Sequence, residues 1–167
     1  MGSRTREKLK PKPYDQRTDL EKIRSQWTKL GGLSSRTDWS AAIVRAATAT
    51  EIAVNLAIRQ EFAARSEFEA AFVDGLLKWA NGLSGKLEKL LLPLLKGSDK
   101  HAAINDLCKL ARNINGKRND IVHRGEFCSK KVARDLISSC EKFVIGMIKL
   151  YAPDFDLQER CERRTRA

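Results

Sequence analysis

The chain has 167 residues, of which 42% are apolar and 32% are charged. A chain of this length and composition has room for one domain with a hydrophobic core, which excludes both an ordinary multidomain enzyme and a wholly disordered protein. The net charge of +11 is compatible with a polyanionic partner, although basic chains are common among proteins that bind no nucleic acid.

Apolar residues recur with a helical period along most of the chain, whereas alternating strand patterns are nearly absent, so an all-α fold is predicted. Six helices are expected, over residues 15–30, 38–64, 66–79, 84–95, 99–124 and 129–151. Because the connections between them are short, we expect the helices to form an antiparallel bundle.

Capping residues set most of these expected boundaries. Two consecutive glycines after residue 30 predict the end of the first helix, and Ser66 and Glu69 fit the S-x-x-E capping box that would begin the third. Asp99 and Ser129 are expected to cap the fifth and sixth helices, and Gly125 is expected to stop the fifth.

The cysteines and tryptophans indicate core packing and no chemistry of their own. The four cysteines show no CxxC spacing and the chain has only two histidines, so neither a zinc site nor a disulfide framework is predicted. We expect reduced thiols, three of them packed in the core. Trp27, Trp39 and Trp79 occupy apolar stripe positions and are also expected in the core.

No continuous apolar run approaches the roughly 18 residues of a membrane-spanning helix. The N-terminal region is basic but lacks the apolar stretch of a secretory signal. A cytoplasmic protein without a membrane segment is therefore expected.

The positive charge is concentrated at both ends of the chain and in one internal stretch. Residues 1–13 carry a net charge of +4, residues 160–167 carry +3 and residues 108–134 carry +6, so the remainder is slightly acidic. We therefore expect two basic tails flanking a helical domain over residues 14–159. The internal stretch is a candidate electrostatic footprint for a polyanion.

The fifth predicted helix contains an arginine where an apolar residue is expected. At 100° per residue its apolar side chains form one arc, and Arg118 falls inside that arc. The arc comprises Ile104, Leu107, Cys108, Ala111, Ile114, Ile121 and Val122. A guanidinium on a core face is costly unless it is paired, so Arg118 needs a partner or a function. Asn119 and His123 lie at the edge of the same arc, where both could reach a cleft beside Arg118.

The second predicted helix contains a matching carboxylate. Glu51 falls among Ile43, Val54 and Ile58 on the apolar face, so an ion pair between Glu51 and Arg118 is expected. Such a pair would orient the guanidinium. Read from the residues alone, it could equally be a buried bridge that fixes the register of two helices and does nothing else.

The segment Arg118-Asn119-Asp120-Ile121-Val122-His123 fits an R-x(4–6)-H signature with a polar residue after the arginine. It resembles the motif of the HEPN superfamily of small helical-bundle proteins. Its place on a long penultimate helix, followed by a turn glycine and one more long helix, is also similar. The segment TEIAVN, which contains Glu51, resembles the early HEPN helix that often carries an acidic residue facing the motif. The resemblance covers about residues 38–151.

This resemblance implies a metal-independent endoribonuclease, acting as a homodimer in which two motif helices form one composite site. The catalytic residues would be Arg118, Asn119 and His123, with Glu51 as an orienting partner and no cofactor. RNA supplies the 2′-hydroxyl nucleophile, so the products would be a 2′,3′-cyclic phosphate and a 5′-hydroxyl. An imidazole moves protons near neutral pH, and a guanidinium stabilises charge on phosphate oxygens.

Four further basic side chains could line the approach of RNA to this site, although a solvated helix face explains them equally well. They are Lys109, Arg112, Lys117 and Arg124. In the family context a toxin or antiviral-defence role is expected, with an antitoxin or regulatory protein as a further partner. The alternatives are a noncatalytic module that binds RNA or protein, and a helical subunit of a larger complex that uses its basic tails for docking.

Two glycines depart from what the resemblance requires. Some HEPN toxins carry a tyrosine two residues after the histidine, where a partner enzyme modifies them, and this chain has Gly125 there. Gly116 lies just before Arg118 and could break the helix that presents the motif.

Overall fold

The computed structural model describes residues 12–80 and 82–158, and in this part of the chain it contains helices and no strand. It confirms the all-α bundle. The predicted tails lie outside the described residues, apart from residues 12 and 13. The helices are α1 (Asp19–Ser35), α2 (Trp39–Arg65), α3 (Ala70–Trp79), α4, α5 (Lys100–Arg124) and α6 (Lys130–Lys149). Helix α4 consists of three consecutive segments, Gly82–Lys86, a π-helical Leu87–Leu91 and Leu92–Leu94.

Helix α2 is the centre of the bundle and packs against α1, α6, α5 and α4. Its many alanines let neighbouring helices approach closely, and Ile43, Val54 and Ile58 are fully buried as the sequence predicts. Helix α2 is long enough and on average apolar enough to cross a membrane, although it contains no long unbroken apolar run. Half of its most apolar 18-residue window is buried inside the bundle, as expected of a core helix.

Helix α1 continues through the glycine pair that was expected to end it. The helix begins with a capping box between Thr18 and Glu21 and ends at Ser35. Two helical glycines cost roughly 1 kcal/mol each relative to alanine. Burial of Leu30 and packing of the half-buried Leu33 offset this cost and hold the last turn in place. The tertiary contacts therefore override the local stop signal.

The expected capping box of α3 does not form. Ser66 Oγ donates to the carbonyl of Phe62 at the end of α2, and Glu69 occupies the N-cap position without a side-chain hydrogen bond. Trp79 is 70% exposed, so its predicted place in the core is wrong. The buried face of this short helix is formed by Val73 and Leu77, and a residue two positions after Leu77 falls on the opposite side.

Helix α4 widens into a π-helical segment before a proline. The N–H of Leu92 donates to the carbonyl of Leu87, five residues earlier. Three leucines spaced four residues apart are fully or almost fully buried, namely Leu87, Leu91 and Leu95. A wider turn keeps residues at that spacing on one face, so α4 presents a continuous leucine edge to α2.

Helix α5 runs without a break through Gly116 to Arg124 and ends at Gly125, which has a left-handed φ of 69°. The sequence predicted this end correctly. At its start, Asp99 is the N-cap residue as predicted, but its side chain makes no capping hydrogen bond, and Ser98 Oγ accepts from the N–H of Lys100. Cys108 is buried in α5, as predicted.

Val122, which the sequence places in the apolar arc of α5, is exposed. It lies in the last turn, where α5 extends past its packing partners and ends at the connection to α6. That connection ends at Ser129, whose Oγ accepts from the N–H of Val132 and caps α6 as predicted. In α6, Cys140 is buried, and its burial raises the pKa of its thiol to about 12.

One buried carboxylate joins the ends of three helical regions. Glu61 of α2 has a side chain only 3% exposed. Its Oε1 accepts hydrogen bonds from Lys100 Nζ and the Tyr151 hydroxyl, both at 2.8 Å, and its Oε2 accepts from Arg65 Nε at 2.8 Å. Burial alone would raise the pKa of this carboxyl, but the three donors outweigh burial and lower it. Burial, together with the hydrogen bond that the Tyr151 hydroxyl donates to Glu61, raises the pKa of Tyr151.

Candidate active site at the end of α5

The last two turns of α5 bring three of the predicted site residues together. Arg118 Nη1 donates to Asn119 Oδ1 at 3.0 Å and lies 3.4 Å from His123 Nε2. Arg118 and Asn119 are half-buried and His123 is exposed. The unbroken helix through Gly116 supports this arrangement: Asn119 and His123 have the i,i+4 spacing of one helix face, and the long side chain of Arg118 contacts both. Arg118 thus contacts both Asn119 and His123.

The contact between Arg118 and His123 fixes which atom donates. A guanidinium has five N–H donors and no acceptor, so the imidazole can only accept here. A hydrogen bond across this contact therefore forms in the tautomer whose Nε2 is unprotonated. The lone pair that would take a proton from a substrate is held by Arg118 in this arrangement.

A cleft of about 370 Å³ opens beside Arg118, between α2, the start of α4 and α5. Its lining residues are Ala47, Thr48, Glu51, Gly82, Leu83, Ile114, Asn115, Arg118 and Asn119. Asn119 lines this cleft as expected, whereas His123, which was also expected to reach it, does not. Arg118 contacts the exposed imidazole and also lines the cavity.

Glu51 lies in this cleft with Arg118, but the predicted ion pair between them is wrong. Glu51 Oε1 instead accepts from Lys86 Nζ at 2.6 Å, and among the described residues Glu51 makes no ion pair with Arg118. The side chain of Lys86 is only 8% exposed, so this ammonium needs a carboxylate more than the half-buried guanidinium does.

Sequence reasoning missed Lys86, although a signal was present. Lys86 lies between Leu83 and Leu87, two buried leucines four residues apart, so it occupies the apolar side of α4. A charged residue on such a face is as informative as Arg118 on α5. Thr48 and Asn115, which also line the cleft, carried no comparable signal because half-exposed polar residues are common on helices.

Each basic side chain predicted to contact RNA has a carboxylate partner close by. Lys109 pairs with Asp106, Arg112 with Glu88, Lys117 with Glu126 and Arg124 with Asp120, at 2.7–3.3 Å. The hydrogen bond that Lys117 Nζ donates to Glu126 Oε2 raises the pKa of Lys117 and lowers the pKa of Glu126. These neighbours compensate much of the local positive charge on α5.

Three other cations of the basic stretch, Lys130, Lys131 and Arg134, lie at the start of α6, where Asp135 is the neighbouring acid. In the described residues they form no ion pair.

Among residues 12–80 and 82–158, no group of three or more His, Cys, Asp or Glu side chains could hold a metal ion. The candidate site contains a guanidinium, a carboxamide, an imidazole and a carboxylate that accepts from a lysine.

Comparisons with known proteins add no identification. The chain matches no family model. It also matches no curated protein and no solved structure.

Proposed function

We propose that this protein is a metal-independent endoribonuclease of the HEPN type, with Arg118, Asn119 and His123 as its catalytic residues. The observation that carries the proposal is that one guanidinium, which lines a cleft, contacts both a carboxamide at 3.0 Å and an imidazole at 3.4 Å. Transesterification of RNA requires proton transfer and stabilisation of negative charge on phosphorus, and these groups supply both.

The proposed reaction begins when a phosphate of RNA binds Arg118. The guanidinium then exchanges its contact with His123 Nε2 for two phosphate oxygens, which it holds in a bidentate arrangement. This exchange frees the Nε2 lone pair. His123 accepts the proton of the 2′-hydroxyl as the 2′-oxygen bonds to phosphorus and the P–O5′ bond breaks. The departing 5′-oxygen takes up a proton, which leaves a 2′,3′-cyclic phosphate and a 5′-hydroxyl.

A second imidazole would serve this reaction as the proton donor, because one histidine cannot be base and acid at the same moment. We propose that a second copy of the chain supplies it in a homodimer formed around the motif helices. Three exposed apolar side chains close to His123 in the sequence support this: Val122, Phe127 and Val132, of which Phe127 is 97% exposed. Burial of such side chains stabilises association.

One observation favours the rival function, a noncatalytic module that binds RNA or a protein. The Nε2 lone pair of His123 is engaged by Arg118 in the free protein, so the imidazole is not a ready base until a ligand displaces the guanidinium. A module that only binds would keep this contact.

Incubation with labelled RNA in excess EDTA separates the two functions. The nuclease predicts cleavage by the wild type and its loss in His123→Ala and Arg118→Ala. His101→Ala is the matched control, because His101 lies at the opposite end of α5. This variant should cleave RNA at the wild-type rate. RNA binding without cleavage, unchanged by His123→Ala, favours the module and contradicts the nuclease.

A further inference from the structure

The cleft beside Arg118 offers hydrogen-bonding groups that the proposed chemistry does not use. Glu51 Oε1 accepts from Lys86 Nζ and has a second lone pair, whereas Glu51 Oε2 has no partner among the described residues. The carboxamide of Asn115 also makes no hydrogen bond in the described part of the chain. Asn119 uses its Oδ1 to accept from Arg118, which leaves its amino group as a donor. The cleft therefore contains a fixed negative acceptor and two carboxamide donors.

The charges at the two sides of the cleft favour different groups. Arg118 attracts a phosphate, whereas the Glu51 carboxylate repels one and attracts N–H donors. Lys86 holds this carboxylate in place through a contact of 2.6 Å and is itself almost fully buried. The apolar side chains of Ala47, Leu83 and Ile114 add surfaces against which a flat ring can pack. The best occupant at the Glu51 side is thus a neutral ring with N–H groups, attached to a phosphate.

We infer that this cleft is a nucleobase subsite selective for guanine next to the phosphate bound by Arg118. Guanine presents two adjacent donors, N1–H and the N2 amino group, which a carboxylate can accept together. Its O6 is an acceptor for the amino group of Asn115 or Asn119. Adenine and cytosine present one amino group beside an acceptor nitrogen, and uracil presents a single N–H, so each makes fewer charge-assisted bonds to Glu51.

This inference rests on the proposed function for its choice of ligand, since RNA is what would bring a base beside the phosphate. It reassigns Glu51 from a partner of Arg118 to the residue that reads the base, with Lys86 as its positioning residue. Selectivity would then depend on the carboxylate and be separable from the chemistry at His123.

Two assays test the guanine subsite. In the first, uridine tracts that contain a single guanosine, inosine or adenosine are incubated with the protein in EDTA, and the cut sites are mapped. Inosine lacks only the N2 amino group, so guanosine should be preferred over inosine by about tenfold, the loss of one bond to a charged group. Glu51→Gln should bring the rates for the three bases to within about twofold of each other.

In the second assay, guanosine, inosine and adenosine 3′-monophosphates are titrated calorimetrically into the wild type, Glu51→Gln and Asn115→Ala. Glu67→Gln removes an exposed carboxylate far from the cleft and is the matched control. Asn115→Ala should selectively weaken the binding of guanosine 3′-monophosphate. This variant provides a second test of the subsite where Glu51→Gln does not fold.

Cleavage without a preference for guanine overturns this inference and leaves the nuclease proposal standing, and a preference that survives Glu51→Gln overturns the role of Glu51. If no RNA is cut, the nuclease proposal falls and the titration decides the subsite. Equal affinities for the three nucleotides then overturn it, whereas tighter guanosine binding that depends on Glu51 supports it.

Discussion

Arg118 Nη1 lies 3.4 Å from His123 Nε2, five residues further along the same helix. Because arginine can only donate, a hydrogen bond across this contact needs Nε2 of the imidazole as its acceptor. The cation that would bind a phosphate is thus the group that keeps the candidate base engaged until the phosphate arrives. Binding and activation are coupled through one side chain.

Arg118→Lys tests whether this coupling depends on the fork of a guanidinium. A lysine keeps the charge but cannot bond two phosphate oxygens in a planar pair while contacting Asn119. We expect the rate of RNA cleavage to fall at least about tenfold, with a smaller change in RNA affinity. Single-turnover kinetics on a labelled oligonucleotide measure both quantities. A wild-type rate in Arg118→Lys would mean that only the charge at this position matters.

The Glu51–Lys86 pair should be asymmetric in its contribution to stability. The Lys86 side chain is 8% exposed and that of Glu51 is 39% exposed. Removing Glu51 leaves a buried ammonium without a partner, whereas removing Lys86 leaves a carboxylate that water can still reach. We expect Glu51→Ala to lower the free energy of unfolding by about 2 kcal/mol and Lys86→Met to lower it by less. Urea denaturation of the two variants checks the order, and the opposite order would contradict this assignment.

Glu61 should make stability dependent on pH in the acid range. Its folded-state pKa lies below the ordinary value of 4.5, so its contribution is fully present above that value and is lost as the pH falls through the folded-state pKa. Glu61→Gln should be less stable than the wild type at pH 7 by about 1–3 kcal/mol. The difference should shrink at pH 3. Urea unfolding at both pH values measures this, and parallel losses in the two proteins would exclude Glu61 as the cause.

Two glycines on α5 should respond in opposite directions to alanine. Gly116 is helical and a Cβ there would meet no atom within 4 Å, so Gly116→Ala should raise stability by about 0.5–1 kcal/mol. Gly125 has a φ of 69°, so Gly125→Ala should lower stability by about 1 kcal/mol. Thermal denaturation of Gly116→Ala and Gly125→Ala, each compared with the wild type, measures the two changes in stability. Gly116→Ala should also retain cleavage, because it leaves the helix that presents His123 intact.

The proposed homodimer should depend on the exposed apolar surface of Val122, Phe127 and Val132. Phe127→Asp leaves the fold of the protomer unchanged, because a side chain that is 97% exposed packs against almost nothing. It should weaken self-association at least about tenfold by placing a charge in an apolar contact. Sedimentation equilibrium over a dilution series measures the change. Wild-type association in this variant would remove the surface from the proposed interface.

The candidate site was predictable to the extent that it lies on one helix. Asn119 and His123 are an i,i+4 pair, and the long side chain of Arg118 reaches both from the same part of α5, so their proximity follows from the sequence once α5 is expected. The partner of Glu51 was not predictable in this way. It depends on where α4 lies, and the π-helical segment Leu87–Leu91 changes the register of that helix directly after Lys86.

Local signals failed where tertiary contacts opposed them or were missing. The glycine pair at residues 31 and 32 did not end α1, because contacts of Leu30 hold the following turn. Trp79 was expected in the core on account of its size and position, yet the short helix α3 buries only Val73 and Leu77. Val122 continues the apolar arc of α5 beyond the point where α5 has packing partners.

The central claim is that RNA is cleaved by its own 2′-hydroxyl under the control of Arg118 and His123. The most direct measurement uses an RNA whose cut site has been mapped, resynthesised with a single 2′-deoxynucleotide on the 5′ side of that bond. The account predicts that cleavage in EDTA disappears at this bond alone, and that the unmodified RNA yields a 2′,3′-cyclic phosphate. Cleavage that continues at the deoxy position, or a product with a 5′-phosphate, would contradict it.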